Sequence, residues 1–235
     1  MSWKMWATAL SFGIAANVAG PTAQASDRRD GTTVTGTPQA DIVDLYSWMD
    51  PTGKNVFFIL TVNPDATNIS VFDPNVLYVI HTSARSGLND AAPAADIPII
   101  CQVKSTARSE CWVGKTTYAK GGIERTNTSA DQKLSFYAGR RNDPYFGYDT
   151  TTNGLGGMVA SIKTTVTGKA RSANGCYQFA AGEVTSARTA LTGGTVIDSY
   201  RNRNVLAIML SVDKNLLLAQ GKTNLAVWAT TNRPL

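Results

Sequence analysis

Apolar residues along this chain come in short, dense runs separated by turn-forming residues. Asn55-Val56-Phe57-Phe58-Ile59-Leu60-Thr61-Val62 is closed by Asn63-Pro64, and Val76-Leu77-Tyr78-Val79-Ile80-His81 follows Phe72-Asp73-Pro74-Asn75. Further runs are Ile99 to Val103, Glu110 to Gly114, Lys133 to Tyr137, Val205 to Val212 and Leu225 to Thr230. Each is rich in branched and aromatic residues and bounded by Asn, Asp, Gly or Pro. That pattern predicts strands of an all-β fold, an antiparallel sandwich or barrel-like sheet rather than alternating β and α units. Helical signals are few. Asp213 is placed to cap a short helix over residues 214–220 that Gly221 would stop, and residues 153–166 form a weaker second candidate. No repeat of fixed period is present, which argues against a solenoid or propeller.

The N-terminus changes the picture of where such a domain works. Lys4 is followed by a short apolar run and then Ala23-Gln24-Ala25, the order of a secretory signal peptide, so residues 1–25 are expected to be a leader and 26–235 a single β-rich domain. The run is broken by Asn17, Gly20 and Pro21, and no later segment has the roughly 20 apolar residues of a membrane span. An exported protein is expected, periplasmic or extracellular, with no transmembrane span after leader removal. Formal charge is +5 for the whole chain; the leader holds one Lys and no acid, leaving +4. The 22 basic residues are scattered rather than clustered, so no nucleic-acid partner is expected.

Three cysteines are present. Cys101 and Cys111 lie in two predicted strands joined by a short polar segment, and antiparallel pairing there would bring them within bridging distance in an oxidising compartment. Cys176 is left over, as a buried thiol or a link to another chain. With one histidine and no C-x-x-C, a Cys/His zinc site is not expected.

Candidate chemistry is sparse. His81 ends an apolar run and reads as a structural hydrogen-bonding residue, and no serine sits in G-x-S-x-G. Gly154-Leu155-Gly156-Gly157 lacks the strand and helix context of a phosphate loop. Asp27, Asp30, Asp41 and Asp44 are candidate oxygen ligands for Ca²⁺, although their spacing is not that of an EF-hand; capping and local hydrogen bonding account for Asp41 and Asp44 as well. The densest stretch is Phe136-Tyr137-Ala138-Gly139-Arg140-Arg141-Asn142-Asp143-Pro144-Tyr145-Phe146. Arg140 and Arg141 offer planar donor forks for an anion, Asp143-Pro144 forms a turn, and Tyr137, Tyr145, Phe146 and Tyr148 could stack on a sugar or planar ligand. Arg140, Arg141, Asp143 and Tyr145 are therefore candidate binding residues. A bland alternative has a strand ending, Gly139 and Asp143-Pro144 making the corner, an arginine pairing with a carboxylate, and the aromatics closing the core.

Several blocks also carry a family resemblance. Ser26-Asp27-Arg28-Arg29-Asp30-Gly31, Ala40-Asp41-Ile42-Val43-Asp44-Leu45-Tyr46, Phe72 to Tyr78, Tyr137 to Phe146, Arg203-Asn204-Val205 through Val212-Asp213, and Val227-Trp228-Ala229-Thr230-Thr231-Asn232-Arg233 resemble, in order, the secreted bacterial family known as domain of unknown function 4331. The resemblance implies an exported, soluble, β-rich protein and assigns it no particular activity. Arg28 stands where relatives often have a histidine, and Asn142-Asp143 where they usually have an acidic pair, so a metal site built there would lack a nitrogen ligand and one carboxylate. Two functions remain open: a non-catalytic module binding an envelope polysaccharide or protein, and a carboxylate-based, calcium-dependent hydrolase of a polymer, for which two suitably placed acids suffice.

Overall fold

Successive side chains of a strand point to opposite faces of its sheet, so apolar runs of this kind give each sheet an apolar inner face, which two sheets stacked face to face bury. A computed structural model describes residues 34, 36–87, 90, 94–145, 167–170, 178–180, 182–183, 200–218 and 221–233. A 3-10 turn, Pro38–Ala40, leads into β1 (Ile42–Met49), followed by β2 (Asn55–Val62), β3 (Leu77–Arg85), β4 (Ile97–Ser105), β5 (Arg108–Val113), β6 (Thr117–Gly121), β7 (Thr126–Thr128), β8 (Leu134–Asn142), β9 (Asn204–Asp213) and β10 (Asn224–Asn232). One five-stranded sheet runs β1-β2-β9-β8-β7 and the other β10-β3-β4-β5-β6, with antiparallel neighbours throughout. The fold is an all-β sandwich.

Phe58, Leu60, Leu134, Phe136, Ile208 and Leu210 from the first sheet meet Tyr78, Ile80, Ile99, Cys101 and Val113 from the second, all buried in one core. At one side Thr231 Oγ1 donates to the Ala40 carbonyl at 2.7 Å, which ties the β10 edge to the segment entering β1. At the other side the chain crosses between the sheets from β6 to β7. Gly121 permits that crossing because a Cβ there would stand 1.7 Å from Asn127 Oδ1. Asn127 is buried and its Nδ2 donates to the Gly122 carbonyl at 2.8 Å.

Three expectations need correction. Asp213 does cap a turn, accepting from the Asn215 N–H at 2.8 Å, but the helix is a 3-10 turn over Lys214–Leu216 rather than an α-helix reaching residue 220. Leu217 must enter the core, where it is fully buried, and one tight turn places it there. The strand predicted to stop at Tyr137 continues to Asn142, so Gly139 lies inside β8 and makes no corner. Its ladder with β9 keeps pairing from Leu134 to Asn142, and the Asp143 N–H extends it by donating to the Arg203 carbonyl at 3.0 Å. Residues 40–46 are mostly strand, with a register irregularity between Ile42 and Asp44. The second helix candidate, 153–166, lies outside the described residues.

Candidate functional site

The sequence candidates fall into two groups. Arg141 lies on the outer face of the first sheet with its guanidinium carbon 4.0 Å from the centre of the Tyr137 ring and NH1 3.1 Å from Glu124 Oε2. Glu124 also accepts from the Arg140 N–H at 2.7 Å and from the Tyr137 hydroxyl. Burial would raise the Glu124 pKa, but these donors outweigh it and hold the carboxyl below its usual range. About half of each side chain in the Arg141–Glu124 pair is exposed. Arg140, as the neighbouring strand residue, projects from the opposite face, so the two arginines do not form one fork.

Asp143 and Tyr145 go elsewhere. Asp143 is buried and its Oδ1 accepts from the Tyr145 N–H at 2.9 Å, the Asx turn expected of Asp before Pro. Tyr145 meets Tyr200 edge-on at 5.1 Å. Both also come close to Tyr46 of β1, whose hydroxyl is pushed well above its usual pKa by burial first and then by the charges of Asp44 and Asp143. The structure thus joins the Asp44 segment to the Asp143 turn, but without the arginines. Asp41 is buried, its carbonyl accepting from the Asn63 N–H at 3.0 Å. Among the described residues, no three His, Cys, Asp or Glu side chains gather closely enough to hold a metal ion. Asp27, Asp30, Phe146, Tyr148 and Cys176 lie outside the described residues.

A different surface concentrates recognition chemistry. On the outer face of the second sheet Trp228 of β10 stands opposite His81 of β3, and their rings stack at 5.1 Å with only 5° between planes. His81 lies in the middle of β3 rather than at the end of a strand, and its Nε2 is 3.0 Å from Thr230 Oγ1, within hydrogen-bonding distance. Two strands further on, Trp112 of β5 stands opposite Tyr118 of β6, with rings 5.3 Å apart and 30° between planes. Val79 and Ile100, in register with Trp112, fill the strip between the two pairs. With strands about 4.8 Å apart, the pairs are roughly 15 Å from one another. Trp228 and Tyr118 are each more than a third exposed.

Charged groups flank the Trp112 end. The Tyr118 hydroxyl donates to Glu110 Oε1 at 3.0 Å, Arg108 donates to the same oxygen through Nε at 3.0 Å and NH2 at 2.8 Å, and Lys104 Nζ lies 2.9 Å from Oε2. Glu110 is buried beneath them. Burial alone would raise its pKa, but the hydrogen bonds from Lys104, Arg108 and Tyr118 prevail and bring it down to about 2. Lys120 stands directly across from Glu110 on β6.

Beneath this face, on the core side, Cys101 and Cys111 form a disulfide between directly opposed residues of β4 and β5, with Cα atoms 4.2 Å apart. The predicted pairing is therefore present. It also locks the register that sets Ile100 against Trp112 and Gln102 against Glu110. Those neighbours were legible in the sequence once the bridge was proposed, because opposed positions in an antiparallel pair keep a constant sum of residue numbers. Trp228 and His81 carried no such signal, since 147 positions separate them along the chain.

Compared with family models, with curated proteins and with solved structures, the chain matches none.

Proposed function

We propose that this chain is an exported, non-catalytic binding module of the secreted family it resembles, and that the outer face of its second sheet holds a polysaccharide of the cell envelope. The observation that carries the reading is the presence of two stacked aromatic pairs on one sheet face. Flat aromatic rings pack against the C–H faces of pyranose rings, while neighbouring polar groups meet the hydroxyls. Pairs roughly 15 Å apart on an apolar strip suit several consecutive sugars of a chain better than one small ligand. Export accords with the leader-like N-terminus and with a disulfide, which persists in oxidising compartments. Among the described residues no helix is long and apolar enough to cross a membrane.

Affinity electrophoresis through gels containing envelope polysaccharides tests the reading. The wild-type chain is expected to be retarded, and Trp228→Ala and Trp112→Ala to migrate freely while melting as folded proteins. Trp48→Ala is the control, since Trp48 is also exposed but belongs to the first sheet. Retardation that survives both platform substitutions would refute the assignment. N-terminal sequencing of exported material is expected to begin at Ser26.

A further inference from the structure

We infer that the polysaccharide held by this face is anionic, with its acid groups seated against the basic margin beside Trp112 and Tyr118; the inference rests on the reading of the face as a polysaccharide platform. Three cations border that end: Lys104 at the end of β4, Arg108 at the start of β5 and Lys120 on β6. The carboxylate among them, Glu110, has only 4 % of its side chain exposed, whereas Lys104 and Arg108 are 39 % and 61 % exposed. The negative charge is thus sunk beneath the surface and the positive charges stand above it. With one acid against three bases this margin carries a surplus of two positive charges.

The cations are also incompletely committed. Arg108 gives Glu110 two of its five N–H donors and Lys104 gives one of three, which leaves directional donors for a carboxylate or sulfate on the ligand. Glu110 fixes where those donors stand, so they are pre-positioned rather than ordered at the moment of binding. The far end differs. Around Trp228 the strand β10 offers Asn224, Thr230 and Asn232, with no charge. The basic residues flanking β10 are each set against an acid, Lys222 against Asp90 at 2.6 Å and Arg233 against Asp73 at 3.5 Å. A chain lying across the platform would therefore stack a sugar face on Trp228 and set an acidic substituent near Lys104, Arg108 and Lys120. The required chemistry is a sugar ring bearing a fixed negative charge, either a uronate carboxylate or a sulfate ester.

Affinity electrophoresis with dextran, dextran sulfate and polygalacturonate, each at low and moderate salt, tests this. Dextran and dextran sulfate share a backbone, so their comparison isolates charge, and polygalacturonate separates carboxylate from sulfate. The wild-type chain is expected to bind at least one anionic polymer about tenfold or more tightly than dextran, an advantage that salt erodes. Lys120→Glu, on an exposed position, is expected to weaken anionic binding about tenfold and leave dextran binding unchanged. Trp112→Ala should weaken the anionic polymers as well. Equal binding of dextran and the anionic polymers overturns the inference and leaves the platform standing. Anionic binding that Trp112→Ala does not touch marks general attraction to a basic protein and also overturns it. Failure of every polymer to bind removes both the inference and the reading beneath it.

Discussion

Reducing the Cys101–Cys111 disulfide is expected to lower stability by a calculable amount. The bridge closes a loop of ten residues, and the chain-entropy relation for such a loop corresponds to about 2.7 kcal/mol at 25 °C. In a domain of this size each kcal/mol moves the melting midpoint by about 2–4 °C, so reduction should lower it by roughly 5–10 °C. The contribution acts mainly through the unfolded chain, because in the folded state β4 is held by β3 on its other side and β5 by β6. Reduced protein at room temperature should therefore remain folded and keep its Trp112–Tyr118 pair. Thermal melts followed by circular dichroism, with and without reductant, measure the shift. A Cys176→Ala background prevents thiol exchange, and mass spectrometry after alkylation confirms the redox state. A midpoint shift below about 2 °C in protein shown to carry the bridge would refute the loop-entropy reasoning. A shift far beyond 10 °C would refute it in the other direction, by showing that the folded β4–β5 pair itself depends on the bond.

Three further outcomes are expected. Glu110 titrates near 4.5 when unfolded and about 2 when folded, so its contribution is fully present above pH 4.5 and is lost as pH falls toward 2; the size is about 3 kcal/mol, and urea melts between pH 5 and 2 should show a shallower acid loss in Glu110→Gln. Arg141→Ala should change stability by less than about 1 kcal/mol, because the pair with Glu124 is half exposed and screened; a loss of several kcal/mol in chemical denaturation would contradict the exposed geometry. Gly121→Ala should cost about 1–3 kcal/mol, since the new methyl occupies the place of the Asn127 carboxamide; an unchanged denaturation midpoint would mean that Asn127 can leave its buried site without loss.

The aromatic platform and the arginine stretch illustrate how differently function and fold are written into this chain. Runs such as Asn55–Val62 and Val205 to Val212 announce strands because branched residues and turn breakers are local signals, and both appear with the expected bounds or within a residue of them. Strands β1, β6 and β7 were less legible. β1 is interrupted by Asp44 and Ser47, β6 turns small residues inward, and β7 has three residues. The Tyr137 to Phe146 stretch drew attention by its density of charge and rings, yet in the fold its arginines diverge across β8.

By itself, then, the amino-acid order determined the all-β class, the Cys101–Cys111 pair and the turn at Asp143, each of which depends on residues close together along the chain. Only the tertiary structure decided that Trp228 stacks on His81, that Arg141 meets Glu124 at an exposed edge, and that Glu110 sinks beneath two cations. Alternation within a strand shows that its two faces differ, but the neighbours on each face come from strand order and register. In an antiparallel sandwich these are settled by long-range pairing and a shared core, to which every strand contributes at once.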